Sequence, residues 1–95
     1  MKFEINDNVW KIREVSREFL QEEGSLAETD YMKQEILLWE DCKSKVNTLK
    51  HELCHVWLWE YGHIQSDEYK YPFEQVCQIV ANSNDFINDV IEEYF

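Results

Sequence analysis

Two histidines four residues apart, with a glutamate directly after the first, stand in Thr48-Leu49-Lys50-His51-Glu52-Leu53-Cys54-His55-Val56-Trp57. On a helix, side chains at i and i+4 lie one above the other. His51 and His55 are therefore expected to aim their imidazoles at one point. That geometry suits two Zn–N bonds of about 2.0–2.1 Å. Glu52 sits about 100° further round such a helix. From there it reaches a zinc-bound water without competing for the metal, and acts as the base that deprotonates it during attack.

The pattern is specific for so short a chain. Two of its three histidines are used in it, and at this chain's composition chance alone produces it in roughly 1% of cases. Leu49, Leu53, Val56 and Trp57 supply an apolar side for burial, so a helical context is expected. The competing bland reading is a partly buried helix with two satisfied histidines and a surface glutamate.

Zinc requires a third protein ligand and, for catalysis, an open fourth position. A third histidine six residues after His55 would make a metzincin, but that position is Tyr61. His63 follows Gly62 at the expected helix end and is poorly aimed to turn back. Asp67 stands twelve residues after His55 and Glu74 nineteen. Glu74 is the preferred ligand. It falls on the first turn of the next expected helix, after a loop long enough to reverse direction, where a carboxylate can face both histidines. A solvated first-turn glutamate favouring the helix dipole is its plain alternative. Gln78 and Asn82, one and two turns further, are candidates to hold a ligating imidazole through its second nitrogen. Tyr61, His63, Tyr69 and Tyr71 are candidate donors to the oxyanion of a tetrahedral intermediate.

HExxH, then eighteen residues, then Glu74 resembles the gluzincin pattern of zinc metallopeptidases. That resemblance implies His51, His55 and Glu74 as ligands and Glu52 as general base. The stretch from Thr48 to His55, together with Glu74-Gln75-Val76-Cys77-Gln78-Ile79-Val80-Ala81-Asn82, is similar to short phage and mobile-element proteins grouped near ImmA/IrrE-type metallopeptidases. Members of that group cleave repressor-like proteins, which implies a regulatory rather than a digestive role. The resemblance covers about residues 45 to 95. His51 to Trp57 also resembles SprT-like proteins, whose third ligand is a later histidine; no histidine follows His63.

The elements that would position these residues are read from periodicity. Phe3 and Ile5 alternate with polar neighbours, Asn6-Asp7-Asn8 is turn chemistry, and Val9 to Val15 reads as a strand with Trp10 and Ile12 on one face and Glu14 following in the same period. A hairpin is expected. Ser16 is placed to cap a short helix through Glu23, ended by Gly24. Leu26 to Asp30 is ambiguous. Ile36-Leu37-Leu38-Trp39 reads as a strand buried on both faces, and as a sheet edge that could pair with an extended substrate or as a plain core strand. Asp41 or Ser44 caps a helix from about 44 to 61, with Gly62 at its C′ position. Pro72 opens a last helix, about 72 to 94, carried by Phe73, Val76, Cys77, Val80, Ile87, Val90, Ile91 and Tyr94. Asn82-Ser83-Asn84 bends or breaks it. The expected fold is α+β: a small N-terminal sheet packed against an active-site helix and a C-terminal helix, a minimal zincin-like domain over residues 1–95.

Composition narrows the function classes. With 95 residues and 44% apolar content, a single domain with a small core is expected. Four Trp, five Tyr and five Phe suit it. The net charge of -11 disfavours nucleic acid and anionic lipid as partners. The N-terminal stretch lacks the apolar run of a signal peptide, and no segment reaches membrane-span length. Cys42, Cys54 and Cys77 have no CxxC spacing and read as reduced, mostly buried thiols, so a cytoplasmic location is expected. The function expected is Zn²⁺-dependent cleavage of a cytoplasmic protein or peptide. The alternative is a non-enzymatic acidic interaction module, of a kind that could mimic nucleic acid, with a structural zinc. The sequence leaves the oligomeric state open.

Overall fold

The computed structural model describes residues 1–60 and 85–95. Among these residues it is a small α+β fold of two layers, a four-stranded sheet with two helices against one face. The elements are β1 (Lys2–Ile5), β2 (Asn8–Val15), β3 (Ala27–Asp30), β4 (Glu35–Trp39), α1 (Lys45–Glu60) and α2 (Asp85–Tyr94). The sheet order is β1-β2-β4-β3. β2 and β4 run parallel, while β1–β2 and β3–β4 are antiparallel.

Local chemistry explains both hairpins. Asn6 and Asp7 take φ of 50° and 65°, the left-handed conformation that a two-residue turn between twisted strands requires and that these side chains tolerate. The expected β1–β2 hairpin therefore forms, with Ile5 opposite Asn8. At the β3–β4 turn, Asp30 Oδ1 accepts the backbone N–H of Met32 at 3.1 Å and of Lys33 at 3.0 Å. Gln34, at φ 55°, then returns the chain to β4.

Three expectations are corrected. The helix expected from Ser16 to Glu23 is only a 3-10 turn at Arg17–Phe19, and the Ser16 side chain makes no capping bond; its hydroxyl goes to Glu18 instead. The strand at Ile36 to Trp39 is not buried on both faces. Ile36 and Leu38 are fully buried, while Glu35, Leu37 and Trp39 on the outer face are partly exposed. No helix covers that face among the described residues; Val15 and Leu20 are buried, and the Arg17 guanidinium lies 4.1 Å above the Trp39 ring. Nor is this strand the sheet edge, because β4 lies between β2 and β3. The edge beside α1 is β3, the stretch that periodicity left ambiguous.

The core lies between the inner face of the sheet and the helices. Phe3, Ile5, Trp10, Ile12 and Ile36 meet Leu49, Leu53 and Val56 of α1 and Ile87 and Val90 of α2. Burying a side chain such as Leu53 contributes about 1.5–3 kcal/mol. Phe86 of α2 packs on Phe3 with ring centroids 5.8 Å apart. Ser44 accepts the first helical bond of α1, from Thr48 N, as an N-cap residue does. Cys54 is buried, as expected, and so is Cys42. The C-terminal helix is described from Asp85 onward. Its expected start at Pro72, the bend at residues 82–84, the loop at 62–71 and Cys77 lie outside the described residues.

Two polar ties fix α1 over the sheet. At its C-terminus the Glu60 carboxylate accepts Trp10 Nε1–H at 2.7 Å and Asn8 Nδ2–H at 2.8 Å, and Asn6 Nδ2 donates to the Glu60 carbonyl at 3.0 Å. At its N-terminus Lys45 donates to Glu14 at 2.6 Å, and the Tyr94 hydroxyl donates to the other Glu14 oxygen at 2.6 Å. The Lys45 bond, then the Tyr94 bond, hold the Glu14 carboxyl below its ordinary value of 4.5. Burial, then Glu14, push the Tyr94 hydroxyl upward.

Trp10 is wholly buried, so a Glu60→Ala chain leaves an indole N–H without its acceptor. The expected loss is about 1–3 kcal/mol, read as a lower urea midpoint at constant m. Glu14 gives a pH signature. Its folded carboxyl titrates below the unfolded one, so its contribution is complete above pH 4.5 and is lost as pH falls through the folded value. Glu14→Gln is expected to destabilise at pH 7 and to converge on the unsubstituted chain in acid, measured by urea unfolding across that range.

Candidate metal centre

The α1 sequence turns its apolar side to the core and leaves His51, Glu52 and His55 half-buried beside it. The two imidazoles converge. Their Nε2 atoms stand 3.1 Å apart, with ring centroids at 4.7 Å and planes inclined by 79°. Two nitrogens bound tetrahedrally to one zinc at about 2.0–2.1 Å are separated by roughly 3.3 Å. The observed spacing fits that requirement closely. Without a cation, one Nε2–H donates to the other ring's nitrogen, and the same two atoms would become the ligands. The donor chemistry fits as well, since neutral imidazole is a favoured zinc ligand.

Glu52 is held from the sheet. Thr29 Oγ1–H donates to Glu52 Oε2 at 3.1 Å, so the edge strand orients the carboxylate that follows the first histidine. Thr29 pairs with Ile36 and Ala27 with Leu38. Both therefore share the inner face with those buried residues, while Glu28 and Asp30 point outward. Thr29 was not foreseen. Nothing in the spacing of residues 29 and 52 announces a contact, which arises only because α1 crosses β3. The one usable signal was period-two alternation in Ala27-Glu28-Thr29-Asp30, and it lacks the large apolar residues that mark a strand.

Aromatic packing fixes the same helix further along. Tyr31, directly after β3, meets Trp10 edge-on at 6.3 Å and Trp59 at 4.6 Å. Rings in such contacts contribute about 0.5–1.5 kcal/mol beyond area burial. At the start of α1, burial resists ionisation of the Cys42 thiol. The Thr48 hydroxyl, the Ser44 amide and hydroxyl, and Lys45 outweigh it and lower its pKa below the ordinary 9.0.

Of the expected site residues, the structure brings His51 and His55 together and ties Glu52 to Thr29. Glu74, with Asp67 and His63 as its competitors, lies outside the described residues, as do Tyr61, Tyr69, Tyr71, Gln78 and Asn82. Among the described residues no group of three or more His, Cys, Asp or Glu side chains gathers to hold a metal. Among them, too, no helix is long and apolar enough to cross a membrane. Comparison with protein-family models, with curated proteins and with solved structures finds no match to this chain.

Zinc binding at the imidazole pair has a direct readout. On titration with Zn²⁺, the ring resonances of His51 and His55 are expected to shift together, and the unfolding midpoint to rise. The added stability reaches about 2.7 kcal/mol when free zinc is a hundredfold above Kd. Either His51→Ala or His55→Ala should abolish both responses; a midpoint that still rises in these variants would place the metal elsewhere.

Proposed function

We propose that this chain is a zinc-dependent metallopeptidase, an endopeptidase that cleaves within extended segments of a cytoplasmic protein. The observation that carries the reading is the 3.1 Å approach of the two Nε2 atoms, with Glu52 alongside and tied to the sheet edge by Thr29. His51 and His55 would hold the ion, and Glu74 would complete the ligand set on a gluzincin pattern, with a minimal zincin-like arrangement of sheet edge and active-site helix. Bound Zn²⁺ supplies a Lewis acid that polarises a carbonyl and lowers the pKa of a water toward neutrality. Glu52 takes the proton from the attacking water and returns it to the leaving amine. Thr29 keeps that carboxylate turned toward the reacting side of α1.

Substrate pairing has a natural place. Trp39 N donates to Leu26 O at 2.9 Å, so the residue pairs Leu26–Trp39, Glu28–Leu37 and Asp30–Glu35 carry the β3–β4 bonds. The peptide groups of Ala27 and Thr29 then point away from the sheet. An extended chain can add there as a further strand, beside Glu52. The resemblance of the stretch from Thr48 to His55 to short phage and mobile-element ImmA/IrrE-like proteins would make the target a regulatory cytoplasmic protein.

The reading is tested by metal analysis combined with cleavage of a mixture of quenched fluorogenic peptides. The unsubstituted chain is expected to carry one zinc and to cleave. Glu52→Gln should keep the zinc and lose about 10²–10⁴-fold in rate. Glu74→Ala should lose the zinc, while Asp67→Ala and His63→Ala keep it. Zinc lost only in Asp67→Ala would overturn the ligand set. A zinc-loaded chain that cleaves nothing, with its cellular effect unchanged by Glu52→Gln, would favour instead an acidic interaction module with structural zinc, the role that a net charge of -11 also suits.

A further inference from the structure

An extended segment paired with β3 turns alternate side chains to opposite faces of the sheet. One set faces α1 and the His51–Glu52–His55 group. The other set faces outward, where a cavity of about 340 Å³ opens between Phe19, Leu37 and Met32, with Glu28 and Asp30 of β3 at its side. That volume falls at the lower end of the range for ligand pockets, about 300–1,000 Å³. Leu37 forms an apolar floor on β4, and Glu28 is its cross-strand neighbour. Phe19 and Met32 are large apolar side chains left 58% and 91% exposed at the rim, so the cavity is open to an incoming side chain.

The charges around it are one-sided. Glu28 accepts the backbone N–H groups of Gln21 and Glu22, both at 2.9 Å, and the Asp30 carboxylate accepts those of Met32 and Lys33. These bonds hold both carboxylates in place, and among the described residues neither is in an ion pair. The nearby arginines are engaged elsewhere: Arg13 pairs with Glu35 at 3.3 Å, and Arg17 donates to the Ser25 carbonyl at 2.6 Å. A long apolar stem ending in a cation matches an apolar floor with anionic walls.

We propose that this cavity is a specificity subsite for a lysine or arginine side chain of an extended protein segment that pairs with β3. The inference rests on the peptidase reading for its meaning as a substrate site, but the binding itself needs neither zinc nor hydrolysis. The substrate class is thus a protein segment of extended conformation with a basic residue one strand position away from those that face α1.

The test uses the full chain carrying Glu52→Gln and freed of zinc. The probes are fluorescein-labelled peptides of alternating valine and threonine with one central lysine, glutamate or leucine, and binding is read by fluorescence anisotropy. The lysine peptide is expected to bind at least tenfold more tightly than the other two, with the advantage shrinking as salt is raised. Because Phe19 and Met32 are exposed, Phe19→Lys and Met32→Lys should leave the fold intact, checked by circular dichroism, and erase the preference. Equal binding of the three peptides, no binding of any, a preference for leucine, or a lysine preference that survives both substitutions would each overturn the subsite. Failure of the peptidase reading is read separately, from zinc content and cleavage by the unsubstituted chain.

Discussion

The rotation of α1 about its own axis is the constraint on which the site depends. Successive residues of a helix point about 100° apart, so a modest roll would carry Glu52 away from Thr29 and turn the face that bears His51 and His55. Burial alone sets that angle loosely, because Leu49, Leu53, Cys54, Val56 and Leu58 form a broad buried band. The polar ties sharpen it. Glu60 is anchored to Trp10 and Asn8 at one end, Lys45 to Glu14 at the other, and Tyr31 packs between Trp10 and Trp59. The convergence of the two imidazoles follows from their spacing on one helix, whereas the contact of Glu52 with Thr29 is a consequence of contacts made by residues far from them in sequence.

The same ties explain the distribution of polar residues in a small core. A 95-residue chain has little apolar area to spare. Here the fully buried Trp10 contributes both a large apolar surface and a hydrogen bond to the helix terminus. Glu14 joins the sheet to both helices through Lys45 and Tyr94. Every buried side-chain nitrogen or oxygen among the described residues has a partner, which is what a marginally stable domain requires.

What the sequence disclosed follows from the range of its signals. The first hairpin was legible because Phe3, Ile5, Trp10 and Ile12 alternate around a turn of Asn6 and Asp7. The helix α1 was legible because His51 and His55 lie on one side and Leu49, Leu53 and Val56 on another. The short helix expected after Ser16 failed because capping chemistry is only permissive; Glu18 drew the Ser16 hydroxyl away, and the segment carries too few apolar residues to hold a helix to the sheet. β3 escaped notice because Ala27-Glu28-Thr29-Asp30 has the period of a strand without its hydrophobicity. The sheet order, and with it the identity of the edge, rests on the parallel pairing of β2 with β4, a long-range choice that no local pattern encodes. Thr29 could not be recognised before that edge was known.

X-ray absorption at the zinc edge of the purified, zinc-loaded chain tests the central claim most directly. The convergent pair predicts a first shell containing two imidazole nitrogens at about 2.0–2.1 Å, completed by oxygen ligands. A shell dominated by thiolate sulfur at about 2.3 Å, or a spectrum free of imidazole scattering, would contradict it.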